Sequence, residues 1–445
     1  MIAGVSSGVG KTTLAAGLMR LLTTRGGLSV GCAKVGPDFI DPGYHRIATG
    51  NQSRNLDAFL CGGAMLGRIA ARAGDGRDVL VVEGVMGLFD GAILEGAPPT
   101  STAAVAKALR SPVVLVADAS RTSTSLAAVV KGFFDFDPEL EVAGVIVNGV
   151  ASPSHADAVR EAMASAGVTL FGLVPRDPRL RFESRHLGLV PVVEEPDSIS
   201  DHLDQVASVL AECLDVDALM RLAHTAPKMA AEPGMDESPS VRARIGLLGG
   251  AAFSFVYPEN VEALRAAGAE IVNLDPLRDE GIPDDLDGLY LPGGFPEVFA
   301  ARIAEHARWR GQLKRLVEGG TPTWAECGGF LLLAQALDDA PMAGAIAARA
   351  TMTGRLTLGY AEAEPLQSSI LAPAGSLLRG HEFHYSAMDP PGTSLKLRTR
   401  SGLRSAGYLS PTLFASYLHL NLAGTPEIAR RFVSVSESYR RLRRP

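Results

Sequence analysis

Two stretches of this chain carry residues in patterns that chemistry can use. The first is Gly4-Val5-Ser6-Ser7-Gly8-Val9-Gly10-Lys11-Thr12-Thr13, which runs into Leu14, Ala15, Leu18, Leu21 and Leu22 at helical spacing. Glycines such as Gly8 and Gly10 let backbone N–H groups turn inward around a polyphosphate, and the helix N-terminus adds partial positive charge. Lys11 can then reach the terminal phosphates, and the Thr12 hydroxyl suits magnesium. Five residues rather than the usual four separate Gly4 from Gly10, so the loop is a lengthened one. The second stretch is Trp324-Ala325-Glu326-Cys327-Gly328-Gly329-Phe330, which reads as strand, sharp turn and helix. A cysteine at such an elbow is expected to point into solvent at a helix N-terminus, where its thiol pKa falls and the nucleophilic thiolate is favoured. Cys32, Cys61 and Cys213 read instead as small buried hydrophobes. Ser416-Tyr417-Leu418-His419-Leu420-Asn421 offers the general base such a cysteine requires. Leu291-Pro292-Gly293-Gly294-Phe295-Pro296-Glu297 follows another strand, so N–H groups near Gly294, with that of Gly328, could form an oxyanion hole when Cys327 attacks a carboxamide.

Several polar residues have two readings. Glu83 ends the apolar run Val79–Val82 and is either a magnesium carboxylate facing the loop or a solvated strand end. Asp38 and Asp41, in Lys34-Val-Gly-Pro-Asp38-Phe-Ile-Asp41-Pro-Gly-Tyr44-His45, are turn formers or site residues. Asp57 after Arg54-Asn55-Leu56 is a polar turn or a second metal carboxylate, and Asn148 before Gly149 is on its own a turn residue. Arg176, Arg179, Arg181, Arg185 and His186 cluster in a loop that is either solvated or suited to carboxylates through paired guanidinium hydrogen bonds. His381 and His384, three apart on a strand, point to opposite faces; a shared ion is not expected there, and structural or interface roles are.

These residues need a frame. Apolar runs at 30–35, 79–83, 113–117, 142–148 and 170–174, separated by helical patterns at 102–110, 123–133 and 154–166, imply a parallel sheet covered on both faces. Only Met1–Val5 precede the loop, which is short for a central strand, and a start upstream of Met1 would explain it. Between 223 and 242 the periodicity gives way to Pro, Glu, Gly and Ser, which marks a linker. A second alternation follows, with strands at 244–248, 270–274, 288–291 and 322–325 and a helix near 258–267. Turn-separated β segments then occupy 343–418 before a closing helix at 425–441. The fold class is α/β in both halves, and 445 residues suit two domains, 1–222 and 243–445. A net charge of −7 argues against a nucleic-acid partner. There is no run of eighteen apolar residues and no signal peptide, so no membrane is expected. Four widely spaced cysteines fit a reducing cytoplasm without disulfides or zinc.

The strings Gly4–Thr13, Lys34–His45, Arg54–Asp57 and Val82–Gly91 closely resemble those of the glutamine-hydrolysing cobyrinic (or hydrogenobyrinic) acid a,c-diamide synthase family, over essentially the whole chain. The resemblance implies an N-terminal P-loop parallel sheet like that of dethiobiotin synthetase and a C-terminal class I glutamine amidotransferase domain of flavodoxin-like α/β fold. It implies ATP and Mg2+ as cofactors, and L-glutamine and a cobyrinate-type tetrapyrrole as substrates. Gly8, Gly10, Lys11, Thr12, Thr13, Lys34 and Asn148 would contact the nucleotide, with Asn148 on the adenine; Thr12, Asp57 and Glu83 would hold magnesium. Asp38, Asp41, Tyr44, Asp90, Arg185 and His186 would face the macrocycle. Most such amidotransferases place a glutamate two residues beyond the histidine; Asn421 stands there, so a Cys327–His419 dyad is expected rather than a triad. The implied reaction phosphorylates an acetate side chain and lets ammonia displace the phosphate. Because free ammonia is mostly protonated near neutral pH, a protected transfer is expected. A homodimer is a possible assembly. Rival readings are amidation of another acidic tetrapyrrole, nickel-sirohydrochlorin or a later corrinoid, and a P-loop partitioning or regulatory ATPase without glutaminase activity.

Overall fold

A computed structural model describes the chain except residues 93, 95, 183, 186–187, 190–191, 193–195, 230–239 and 444–445, and the side chains of 184–185 and 188–189. The described residues form two compact units, Met1–Ala58 with Gly62–Ala92 and Pro98–Glu232, and Pro233–Pro445 with the short pieces Phe59–Cys61 and Ile93–Ala97. Residues 230–239 of the expected linker lie outside the described residues; it is bounded by the helix Val216–Ala223 and the strand Ala243–Leu248.

The first unit is a seven-stranded parallel sheet in the order Arg54–Leu56, Val30–Val35, Val79–Glu83, Ile2–Gly4, Val113–Asp118, Val142–Val150, Leu170–Pro175. Val30–Val35 is buried along its whole length, as a strand covered on both faces must be, which is why it is apolar save for Lys34, whose ammonium is paired at the carboxyl end. Ile2–Gly4 has three residues yet is central, paired to Glu83 on one side and to Val114, Leu115 and Val116 on the other. The Val5 N–H continues that ladder to the Val116 carbonyl at 3.0 Å before the chain leaves the sheet as the phosphate loop. The loop closes on Gly10, whose φ of +93° favours glycine, and opens the helix Lys11–Thr24. Register puts Asn55, Lys34 and Glu83 level in neighbouring strands, all at the carboxyl edge beside the loop.

The second unit has a sheet in the order Ala269–Leu274, Ala243–Leu248, Gly288–Leu291, Thr323–Glu326, Leu413–Ser416, Tyr408–Ser410, parallel except for the last strand. Tyr290 and Trp324 stack at 4.0 Å between ring centroids inside it, with Phe432 of the closing helix Pro426–Arg443 edge-on to Trp324. A second, mainly antiparallel sheet is built on the hairpin of Arg349–Pro365 and Leu378–Asp389. Its short strand His419–Leu420 pairs with Leu378–Asp389, His381 opposite His419. Residues 417–418 therefore carry the chain from the parallel sheet to the antiparallel one, and His419 is delivered by that crossing. No helix among the described residues is long and apolar enough to cross a membrane.

Candidate active sites

At the carboxyl edge of the first sheet, five side chains from four segments converge, Asp41 and His45 both coming from the helix Asp41–Thr49. Glu83 Oε1 accepts the Thr12 hydroxyl at 2.6 Å and Lys34 Nζ at 2.8 Å, while its Oε2 stands 2.6 Å from His45 Nε2. Lys34 Nζ lies 2.6 Å from Asp41 Oδ2, which is also 3.3 Å from the Thr12 hydroxyl. His45 Nδ1 meets Ser53 Oγ at 3.0 Å. Burial alone would raise the Glu83 pKa, but Lys34 and His45 outweigh it and hold the carboxyl well below its usual range. Burial likewise works against the Lys34 ammonium, yet Asp41 and Glu83 keep it charged. Asp41 is pushed up to about 7 by burial and by Asp38, against the pull of Lys34. Lys11 donates to the Ser6 carbonyl at 3.1 Å and is brought down to about 8 by burial and by the charge of Lys34, so an anion arriving there would restore its full charge.

The remaining expected residues of this unit fall into three situations. Asn148 braces the loop: its amide nitrogen donates to the Val9 carbonyl at 3.0 Å and lies 2.4 Å from where a Cβ on Gly10 would be. Asp38 accepts from the Ile40 and Asp41 N–H groups, closing the turn into the helix Asp41–Thr49, and Asp90 accepts from Gly87 N–H. Tyr44 is buried with its ring edge-on to Phe182, and Asp57 is buried directly after Arg54–Leu56. Of the basic loop, Arg176 donates to the carbonyls of Gly149 and Ser120, and Arg179 pairs with Asp177 at 2.6 Å. The Arg185 side chain and His186 lie outside the described residues.

In the second unit the elbow is present and strained. Cys327 takes φ +44°, ψ −102° between the strand Thr323–Glu326 and the helix Gly328–Leu333. Its environment corrects the expectation of a solvent-facing, acidified thiol. Cys327 is only 4% exposed, and its sulfur lies 3.8 Å from the Phe383 carbonyl of the antiparallel hairpin. Burial, with Glu297, Glu326 and Glu382 nearby, pushes the thiol well above its ordinary range, and a six-residue helix does not offset that. The thiol is therefore protonated at rest and needs a base. His419 is buried and held neutral, pushed well below the usual histidine value by burial and by His381 and His384. The His381 ring stacks on it at 5.0 Å. The imidazole rests against Gly293, where a Cβ would come within 2.3 Å of Cε1. A Cβ on Gly328 would stand 3.0 Å from Gly294 N, so the two turns carrying the expected oxyanion N–H groups are in contact. Asn421 does not stand in for a triad acid: its Oδ1 accepts from Ala423 N–H at 3.0 Å, capping the turn Leu422–Gly424.

Residues 1–190 match the family described as CobQ/CobB/MinD/ParA nucleotide binding domain, and residues 244–426 the CobB/CobQ-like glutamine amidotransferase domain. Among similar proteins, the hydrogenobyrinate a,c-diamide synthase of Streptomyces coelicolor is 44% identical, covering 97% of this chain and 96% of its own length. That of Thermobifida fusca is 40% identical over 99% and 97%. The cobyrinate a,c-diamide synthase of Synechococcus is 38% identical over 98% of each. The chain belongs to the a,c-diamide synthase family. It is a glutamine-hydrolysing ligase by membership, with an N-terminal nucleotide-binding P-loop domain and a C-terminal amidotransferase domain.

For this a,c-diamide synthase relative, sequence reasoning overlooked His45, which sits inside a quoted motif, and Glu326, which precedes the nucleophile. Glu326 was detectable in principle: a glutamate closing a strand of a buried parallel sheet is anomalous unless it has partners. Burial pushes its carboxyl up to about 8, against the hydrogen bonds from Leu420 and Tyr290.

Proposed function

We propose that this chain amidates the a and c acetate carboxylates of cobyrinate or hydrogenobyrinate in cobalamin biosynthesis, using ATP and ammonia from glutamine. A carboxylate is a poor electrophile, so its activation as an acyl phosphate comes first, and ammonia then displaces phosphate. The observation that carries the reading is the presence, in one chain, of a phosphate loop beside the Lys34–Glu83–Asp41 cluster and of Cys327 on a strained elbow, packed on the Gly293–Gly294 turn against which His419 also rests.

In the first unit, Lys11 and Lys34 would steady the phosphates and the reacting carboxylate, and Asn148 would support the loop while facing the base. The donor set suits magnesium: the Thr12 hydroxyl and the Glu83 carboxylate meet at 2.6 Å, hard oxygen ligands of the kind that leave the rest of the shell to phosphates. Thr12, Glu83 and Asp57 would hold the ion, which when bound neutralises charge on the transferred phosphoryl group. In the second unit, His419 takes the Cys327 proton as sulfur attacks the glutamine amide carbon, and the N–H groups of Gly294 and Gly328 face the developing oxyanion. The imidazolium returns that proton to the amide nitrogen, ammonia leaves, and water hydrolyses the thioester to glutamate, restoring the thiol. Four free thiols support residence in a reducing compartment.

Replacing Cys327 by serine tests the division of labour. Glutamine-dependent synthesis should vanish, while synthesis with added ammonium survives near the wild-type rate. Loss of both in a folded variant refutes the assignment.

A further inference from the structure

With Asn421 committed to a local cap, no side-chain acid stands at the usual triad position, yet a buried carboxyl does lie within this site. Glu326 precedes Cys327 and is 1% exposed. Its Oε1 accepts the Leu420 N–H at 2.9 Å, and its Oε2 accepts the Tyr290 hydroxyl at 2.9 Å. That hydroxyl accepts from Asn260 Nδ2 at 3.1 Å. Asn260 in turn donates to the Leu420 carbonyl at 2.8 Å and accepts the Leu422 N–H at 2.8 Å. Asn260 and Tyr290 are both fully enclosed. A buried polar network in which every member is partnered is rigid, and one that loses a member is costly.

We propose that Glu326 is the positioning residue for His419, doing through the main chain what a triad acid does at the imidazole; this rests on the reading of Cys327 and His419 as nucleophile and base. The Leu420 N–H belongs to the peptide plane that begins at the His419 carbonyl carbon. Holding it sets the rotation about the His419 Cα–C bond, and with it the direction in which the side chain leaves. The other side of the base is held by the pairing of His419 with His381. Gly293 against Cε1 and the stacked His381 ring then limit the imidazole itself. Because Glu326 is bonded to Cys327, one carboxyl ties the backbone of the base to that of the nucleophile. The other carboxylates acting on the thiol are placed differently: Glu382 pairs with Arg404, and Glu297 comes from the segment after Gly294.

The test uses the full chain with Glu326→Gln and Tyr290→Phe, scored for glutamine hydrolysis, ammonium-driven synthesis and alkylation of Cys327 by iodoacetamide. In E326Q the glutaminase kcat should fall roughly 10- to 100-fold with the glutamine KM within about twofold, the size expected for a base displaced by a fraction of an ångström. Alkylation should slow in parallel, and ammonium-driven synthesis should be retained. Y290F, which deletes one oxygen at constant shape, should lose roughly 3- to 10-fold in kcat, and it carries the test if E326Q does not fold. Unchanged kcat in either folded variant, or a rise in KM at constant kcat, overturns the inference. Cys327→Ser separates the two claims: glutaminase activity surviving in C327S defeats the underlying reading, whereas its loss in C327S beside a normal E326Q defeats only the role of Glu326.

Discussion

Cys327 and His419 are each neutral at rest, because burial acts on each in the direction that removes charge. Residue types and spacing made both legible, but the protonation state was not, since it depends on the hairpin around Phe383 covering the thiol. Glu297 shows the same limit, being pushed up to about 7 by burial from the ordinary 4.5. With the folded pKa raised, the unfolded chain loses this proton first, so stability falls as pH climbs from about 4.5 to about 7 and is level beyond. The full cost is at most roughly 3 kcal/mol, from the size of the shift. Glu297→Gln removes it, so the variant should melt several degrees higher than the wild type at pH 8 and show little gain at pH 4.5. Calorimetry at the two values checks this; an equal gain at both excludes ionisation as the cause.

Most strands of the two parallel sheets were readable to within a residue or two, because an element covered on both faces must be apolar along its length; the short edge strand Arg54–Leu56, polar in sequence, read only as a turn. The antiparallel sheet was not. Arg349–Pro365 runs for 17 residues with an irregular register between Met352 and Thr357, so its alternation breaks and the sequence shows only separate β segments. The crossing at 417–418 was equally hidden, since it is defined by which strand His419 pairs with and not by any local pattern. At this scale the turn after Gly288–Leu291 is the decisive element, because it forms the wall for the imidazole and, in the proposed mechanism, would supply one oxyanion N–H. Gly293→Ala leaves the backbone conformation unstrained but puts a Cβ 2.3 Å from His419 Cε1, so the ring must move. Glutaminase kcat should drop about 100-fold, as for other displacements near 1 Å, while ammonium-driven synthesis stays intact. A G293A enzyme with full glutaminase activity would show that the ring has slack the packing does not suggest.

For the molecule as a whole, length and the two alternations foretold two α/β halves, and the family match spans both. With glutamine as the only nitrogen source each half depends on the other, since an activated carboxylate needs a nucleophile and a glutaminase alone wastes its ammonia. Only the neutral form of ammonia attacks, and near neutral pH most of it is protonated once it reaches bulk water. That difference gives a test of coupling requiring no knowledge of the route. Lys11→Ala should cut synthesis from either nitrogen source at least about 100-fold, since it removes the charge that meets the phosphates, yet leave glutamine hydrolysis. C327S should lose glutamine hydrolysis, and with it glutamine-driven synthesis, while keeping ammonium-driven synthesis. Mixed in equal amounts with glutamine as the only nitrogen source, the two variants can cooperate solely through ammonia released to solvent. Synthesis by the mixture should therefore be a small fraction of wild type at pH 7 and climb as pH rises, while the wild-type enzyme shows a much flatter dependence over the same range. Equal rates for mixture and wild type at pH 7 would mean that solvent ammonia suffices, and that covalent union of the two activities serves some purpose other than delivering nitrogen.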